Sequence, residues 1–235
     1  MKTIVVVPTY NEKDNIVQLI RKILLHNVDI LVVDDNSPDG TWKLVEEISK
    51  KEKRVKLHKR IGERGRGTAG IAGFKDALKQ GYDCIIEMDA DFSHNPDDIP
   101  RLLDAIRNAD IVLGSRLVKE GRQIGRSSYR KLLTSFANNY IRTILGMKIK
   151  DCNSGYRCFR KKVLEGINLD SIKAKGPDIV QEILYKAYLK GFKIIEIPIV
   201  FTEREKGSSK LGMKHLLMGY TKVLNLKWEH LTGKI

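Results

Sequence analysis

The chain has 235 residues, 42% hydrophobic and 31% charged, which excludes global disorder and supplies apolar material for one large domain over residues 1–235. The net charge of +14 points to an anionic partner: phosphate, nucleic acid or a lipid surface. Cys84, Cys152 and Cys158 have no CxxC spacing, which excludes a zinc ribbon and a disulfide framework and fits a reducing compartment.

The amino-terminal run MKTIVVVPTYNE lacks the apolar length and cleavage site of a signal peptide. Ile4–Val7, ended by Pro8, reads as a buried parallel strand. Ile16, Leu19, Ile20, Ile23 and Leu24 follow at helical spacing, with Asn11 and Asp14 as candidate caps. Ile30–Val33 reads as a second strand, Asp35–Gly40 as a loop, and Leu44, Val45 and Ile48 as a second helix. Val55 and Leu57 mark a third strand, residues 68–80 a third helix and Cys84–Met88 a fourth strand. Ile99, Leu102, Leu103 and Ile106 give another helix, and Ile111–Gly114 another strand. This alternation predicts an α/β fold, an open, mostly parallel sheet with helices on both faces.

The second half is less regular. Residues 116–131 read as a basic loop, followed by an apolar stripe of Leu132, Leu133, Phe136, Tyr140, Ile144 and Leu145. Residues 179–190 read as helix, Ile194–Ile197 as strand and 203–210 as a polar loop. Met213, Leu216, Leu217, Tyr220, Leu224, Trp228 and Leu231 share one face of a last helix. No uncharged run approaches the ~18–20 residues of a membrane span, so any membrane contact is at the surface or through a partner's anchor.

Ligands of such a sheet bind at the carboxyl ends of its strands. Pro8, Tyr10 and Glu12 follow the first strand, Asp34 and Asp35 the second, Asp89-Ala90-Asp91 the fourth, and Ser115-Arg116 the fifth. Carboxylates one residue apart at a strand end suit a divalent cation, since Mg²⁺ takes one or two such ligands plus water and substrate phosphates. The competing reading of Asp89 and Asp91 is a solvated loop start. Asp35 suits a ribose or base contact, whereas Asp39 suits a turn or helix cap.

Gly62–Gly70 is glycine-rich but lacks the P-loop spacing, and close helix packing explains it at least as well. Arg60, Arg64 and Arg66 beside it are candidate phosphate contacts. Arg116, Lys119, Arg122, Arg126, Arg130 and Lys131 form either a solvated loop or a phosphate grip. The two amphipathic stripes are either core-packing helices or interfacial ones. No Ser–His–Asp or Cys–His pattern stands out, and His94 reads as a loop residue.

Together, VVPTYNE (6–12), VVDDNSPDGT (32–41), GRGTA (65–69), MDADFSHNP (88–96), GSR (114–116), DCNSGYR (151–157) and Arg204 with Ser209-Lys210 resemble the family 2 glycosyltransferases of GT-A fold. Within them they resemble the polyprenyl-phosphate (dolichol-phosphate) mannose synthases, in a short form without membrane helices. The resemblance implies that Pro8, Tyr10, Glu12, Val33, Asp35 and Ala90 contact GDP-mannose. It implies that Asp89 and Asp91, with Ser93 as a weak third ligand, bind Mg²⁺ or Mn²⁺. Arg116, Arg130, Thr134, Arg204 and Lys210 then hold the acceptor phosphate and donor diphosphate, with Asp89, Asp91, Arg116 and Arg204 as the catalytic set.

The implied reaction is inverting transfer of mannose to a polyprenyl (dolichyl) monophosphate. Residues 1–115 form the nucleotide-sugar half and 116–235 the acceptor half, with amphipathic helices on the cytoplasmic face of a membrane and a possible small anchor subunit. Alternatives are another sugar nucleotide such as UDP-glucose, a saccharide acceptor, or a basic nucleic-acid-binding protein. Against nucleic acid stand the lack of a recognition motif and an aromatic content of only 7%.

Overall fold

The computed structural model of the chain describes residues 1–62, 64–203 and 213–235, with side chains from residue 219 onward in the last stretch. Strand β1 (Thr3–Thr9) is buried along its length and pairs in parallel with β2 (Asp29–Asp34) and β4 (Cys84–Glu87). β3 (Val55–Lys59) extends the sheet beyond β2. Helices α1 (Lys13–Leu24), α2 (Thr41–Lys51), α3 (Arg66–Lys79) and α4 (Ile99–Ala105) connect these strands and lead to β5 (Ile111–Ser115). The expected elements of the first half are all present, within a few residues of their expected bounds.

The period-two alternation of each strand divides the core between two faces. On one face Val5, Val7, Ile30 and Val32 pack with Ile16, Leu19 and Ile20 of α1 and Val45 of α2. On the other, Ile4, Val6, Leu31 and Val33 pack with Ala69, Phe74 and Ala77 of α3. A Cβ on Gly73 would lie 2.4 Å from a Val6 methyl, so glycine sets how closely α3 approaches the sheet. Close packing thus accounts for part of the glycine-rich segment.

Asp39 caps as expected, whereas the α1 cap comes from a different place than the sequence suggests. Neither Asn11 nor Asp14 caps α1. Asp39 accepts from the Lys13 amide (3.0 Å) and from the Thr41 amide (2.9 Å), so one carboxylate serves the first turns of α1 and α2. Burial opposes its ionisation, but the Thr41 and Lys13 hydrogen bonds outweigh it and lower its pKa.

The second half inserts a strand into the sheet. α5 (Ser128–Leu145) follows a short β6 (Arg122–Ile124), where a loop was expected throughout 116–131. β7 (Arg157–Arg160) runs antiparallel between β4 and β5, and is followed by α6 (Lys161–Gly166) and α7 (Ile179–Leu189). β8 (Ile194–Pro198) pairs in parallel with β5, giving the order β3-β2-β1-β4-β7-β5-β8. β9 (Val200–Thr202) pairs with β6 as a separate two-stranded ribbon. The sheet is mostly parallel, as expected, with β7 the exception.

α8 (Met213–Leu231) packs against α5, with Tyr220 edge-on to Tyr140 at 4.8 Å between centroids. Val223 is buried, whereas Leu224, Trp228 and Leu231 on α8 and Tyr129, Leu132 and Phe136 on α5 are exposed. The side chains of Met213, Leu216 and Leu217 lie outside the described residues. No described helix is long and apolar enough to cross a membrane.

Insertion of β7 buries charge. Arg157 and Glu87 are 1% and 0% exposed and form an ion pair across the β4–β7 ladder. The Arg157 guanidinium also stacks on Phe159 and donates to the Val180 carbonyl at 3.0 Å. Breaking one side of a buried pair strands the other charge at a cost of ~3–5 kcal/mol, whereas an apolar pair of similar volume is often tolerated. Glu87→Gln is therefore expected to lower unfolding free energy by about 3–5 kcal/mol in urea titrations. Replacing both Glu87 and Arg157 by Met is expected to recover most of that loss.

Candidate functional site

Sharp turns close the carboxyl ends of three adjacent strands. Asn11 after β1, Asn36 after β2 and Phe92 after β4 all have left-handed backbones, with φ of 62°, 52° and 60°. Asparagine adopts this conformation readily, but an aromatic side chain seldom does, so the strain at Phe92 marks the Asp89–Ser93 turn. The β1 and β2 turns interlock: the Asn11 amide donates to Ser37 Oγ (3.0 Å) and the Glu12 amide to Thr41 Oγ1 (3.0 Å). Asp34 is fully buried and accepts from Thr9 Oγ1 (2.7 Å), the Ser37 amide (2.8 Å) and Ser37 Oγ (2.7 Å). It fastens the two turns together.

Asp35 lies at the mouth of this junction. It accepts from the Gly65 amide at 2.8 Å and pairs with Arg60 at 3.1 Å, which fixes its carboxylate against the α3 entry. Asp35, Asn36, Gly62 and Arg64 line a cavity of about 340 Å³. The Arg64 guanidinium stands 4.5 Å from the ring centre of the partly exposed Tyr10. Pro8 pairs with Val33 in register behind this cavity. The Val33 side chain belongs to the core against α3, which leaves only its backbone for a ligand. Glu12 precedes α1 and accepts from Asn15 Nδ2 at 2.9 Å.

At the end of β4, charges alternate. Arg66, at the start of α3, donates to Asp89 Oδ1 through Nε (3.1 Å) and Nη2 (2.9 Å), and meets Glu87 at 3.4 Å. Burial opposes the Arg66 charge, but Asp89 and Glu87 outweigh it and raise its pKa. A Cβ on Gly155 would sit 2.8 Å from Arg66 Nη2 and 3.5 Å from Asp89 Oδ2, so this glycine admits the arginine to the site. Asp91 accepts from the Ser93 amide at 3.1 Å, and both Ala90 and Ser93 are buried.

His94 lies in the loop before Pro96, as expected, and is buried there. Its Nδ1 accepts from the Asp89 amide at 3.1 Å, and its ring stacks on Tyr156 at 5.0 Å. Burial lowers its pKa, against the pull of Asp89 and Asp91, and with Arg116 and Arg66 lowering it further. The neutral imidazole braces the turn that carries the two aspartates.

Across the site, Arg116 follows β5. Its Nε and Nη2 donate to the two oxygens of Asp151, each at 2.7 Å, and its amide donates to Asp151 at 3.0 Å. Asp151 is fully buried, and its own amide donates to Glu196 of β8 at 2.9 Å. Asp151, the first residue of the DCNSGYR motif, therefore aims the Arg116 guanidinium. The Arg116 and Arg126 guanidinium groups lie 5.1 and 5.7 Å from the centre of the Phe201 ring.

Arg126 donates to Thr134 Oγ1 at 2.9 Å, and Thr134 Oγ1 in turn donates to the Arg130 carbonyl, also at 2.9 Å. Arg130 pairs with Glu203. The expected acceptor residues Arg130 and Thr134 thus stand together on the first turns of α5. Arg204 and Lys210 lie outside the described residues.

Among the described residues no cluster of three or more His, Cys, Asp or Glu side chains could hold a metal ion. The donor set at the end of β4 nonetheless fits a hard divalent cation. Asp89 and Asp91 would supply two oxygen ligands, the Asp89 side chain is 35% exposed, and Mg²⁺ fills its remaining positions from water and substrate phosphates.

Five contributors escaped the sequence reading of roles: Arg66 as partner of Asp89, Glu87, Asp151, Arg126 as partner of Thr134, and Glu203. Arg66 and Arg126 carried a general basic signal. Asp151 stood in the DCNSGYR motif without a role, and Glu87 and Glu203 carried no signal, because their partners lie 70 and 73 residues along the chain.

Residues 4–167 match the family described as glycosyl transferase family 2. The polyprenol monophosphomannose synthase of Mycolicibacterium smegmatis is 40% identical over 226 residues, covering 94% of this chain and 85% of that protein. The undecaprenyl-phosphate mannosyltransferase of Micrococcus luteus is 38% identical over 214 residues, covering 90% and 88%. A mannosyltransferase of Pyrobaculum calidifontis, solved with GDP-Man and Mn²⁺, shares the fold with a TM-score of 0.57 at 16% identity, over 99% of this chain and 74% of that one. The motif-bearing strand ends, the matched family and these relatives agree: the chain belongs to glycosyl transferase family 2 and has the GT-A fold.

Proposed function

We propose that this enzyme transfers mannose from GDP-mannose to a polyprenyl monophosphate, with inversion at the anomeric carbon. The observation that carries this reading is the facing of two sets of charge. The Asp89–Asp91 turn stands on one side, and Arg116, Arg126 and Arg130 on the other, joined through His94 and Phe201, whose rings lie 5.9 Å apart. The Mycolicibacterium and Micrococcus relatives, named for mannosyl transfer to polyprenyl phosphates, support the lipid acceptor and the sugar. The Pyrobaculum enzyme, solved with GDP-Man and Mn²⁺, supports the donor and a divalent metal, Mg²⁺ or Mn²⁺ here.

In this reading residues 1–115 hold the donor. The cavity beside Tyr10, Asp35 and Arg64 takes the nucleoside, with Asp35 pre-set by Arg60 and the Gly65 amide. Asp89 and Asp91, with Ser93 as a weak third ligand, hold the metal, which offsets charge on the leaving diphosphate. Residues 116–235 hold the acceptor. A phosphate-monoester oxygen is already ionised at neutral pH, so no general base is needed, and the neutral, buried His94 is consistent with that. The difficulty is repulsion between acceptor phosphate and donor diphosphate. Arg116, aimed by Asp151, and Arg130 offset it, and preorganised charge of this kind is worth most where it needs no reorganisation.

The exposed Tyr129, Leu132, Phe136, Leu224, Trp228 and Leu231 on the packed pair α5–α8 support contact with a bilayer surface, on its cytoplasmic side. Basic residues near an anionic leaflet add about 1 kcal/mol each, and the net charge of +14 supplies them.

The deciding experiment is transfer of labelled mannose from GDP-mannose into an organic-extractable lipid, given short-chain polyprenyl phosphate and Mn²⁺. A mild-acid-labile labelled lipid is expected. Label from UDP-glucose but not from GDP-mannose would overturn the donor assignment. Asp91→Ala is expected to abolish transfer with an unchanged thermal midpoint, and near-wild-type activity would remove the metal site. Arg116→Ala is expected to lower kcat by about 10²–10³, the loss found on removing one preorganised donor. Arg130→Ala is expected to raise KM for the lipid phosphate more than KM for GDP-mannose; an equal rise in both would reassign that arginine.

A further inference from the structure

We propose that Arg126 is a further ligand of the acceptor's phosphate group and that the Glu203 carboxylate holds the place of that phosphate until the acceptor arrives. This deepens the acceptor assignment above and rests on it. Arg126 is held along one edge only. Its Nη1 donates to Thr134 Oγ1 (2.9 Å) and Gln123 Oε1 (3.0 Å). Its Nε is buried and has no hydrogen-bond partner among the described residues, with Glu203 Oε2 at 3.5 Å but out of hydrogen-bonding geometry. A guanidinium fixed on one side with a buried donor unmet on the other is set to receive an oxyanion.

Charge leads to the same place. Arg116 is balanced by the two oxygens of Asp151, whereas among the described residues Arg126 and Arg130 share one carboxylate, Glu203. Burial lowers the Arg126 pKa, and Arg116 and Arg130 lower it further, against the opposing pull of Glu203. Among the described residues, one carboxylate between two guanidinium groups leaves the cluster short of negative charge. A phosphate monoester, with a charge of about −1.5 to −2 and three strong acceptor oxygens, supplies what the carboxylate lacks. Gripped by Arg126, it would also lie beside Arg116, because both guanidinium groups rest against Phe201.

Glu203 can give way without disturbing the core. It follows β9, is tied to the β6 ribbon by its amide on the Ile124 carbonyl (2.9 Å), and stands apart from the seven-stranded sheet. A two-stranded ribbon is weakly stable by itself, so displacement of its end costs little.

Calorimetric titration of the full chain with geranyl phosphate, inorganic phosphate and GDP tests this without requiring transfer. Glu203→Gln keeps the side chain's shape and removes the competing charge. It is expected to tighten geranyl phosphate about tenfold, the scale of one charge-assisted hydrogen bond, with GDP binding unmoved. Arg126→Ala is expected to weaken geranyl phosphate by a similar factor, and Arg126→Lys by less. Unchanged or weaker geranyl phosphate binding by Glu203→Gln overturns the proposal, as does an Arg126→Ala loss shared equally by GDP. Equal affinity for inorganic and geranyl phosphate would place a free anion there and overturn the assignment to the lipid acceptor. Because the readout is binding, failed mannose transfer with this order intact removes only the catalytic reading. Normal transfer with Glu203→Gln indistinguishable from wild type removes only this one.

Discussion

A row of alternating charge, Arg157–Glu87–Arg66–Asp89, fully buried at its Arg157–Glu87 end, ties the Asp89–Ser93 turn to the sheet. Glu87 is fully buried at the end of β4, and ionised it is tolerable only because guanidinium groups approach it from both sides. One comes from β7 and the other from the first turn of α3. The row therefore fixes three things together: the place of the antiparallel strand, the entry of α3, and the direction of Asp89. It explains why Gly155 and Gly73 sit where they do. The first admits Arg66 to Asp89, and the second lets α3 lie close enough for Arg66 to reach.

The same device recurs across the cleft. Asp151 is buried behind Arg116 as Glu87 is buried behind Arg66, and Glu196 braces the Asp151 backbone from β8. Two arginines are thus aimed by buried acids rather than left to solvent. Their side-chain entropy is spent on folding, not on binding. For a reaction between two anions this matters, because a cation that must still be ordered stabilises the approach less than one already in place. Arg126 and Arg130 differ, since their acid is partly exposed and sits at the end of a ribbon.

Much of the donor half was legible in the sequence. Ile4–Val7 and Ile30–Val33 read as strands because a strand buried on both faces must be a continuous β-branched run. Asp89 and Asp91 stood out because they follow such a run. β7 showed only as a possible short strand after the polar 151–157 stretch, for the opposite reason. Its sequence, RCFR, places Arg157 in the core, and only the partner on β4 makes that burial tolerable. β6 and β9 are three residues each and largely exposed, too short for any period to show. Asp151 and Glu203 were silent as site residues because an acid's role there is set by which arginine it meets, and that is a property of the fold.

The placement of β7 also explains how one sheet serves two substrates. A purely parallel continuation would have carried β5 directly beside β4, with Arg116 crowding the Asp89 turn. Inserting an antiparallel strand moves β5 one strand further away and brings the Ser154–Gly155–Tyr156 segment into the gap, where Ser154 Oγ bonds the Gly114 carbonyl at 2.6 Å. Two neighbouring strands lie about 4.7–4.9 Å apart, so the insertion sets the β4 and β5 backbones roughly two strand spacings apart. In that segment Gly155 leaves room for the Arg66 guanidinium beside Asp89, and Tyr156 stacks on His94, so the inserted strand braces the Asp89–Ser93 turn from the side that faces Arg116.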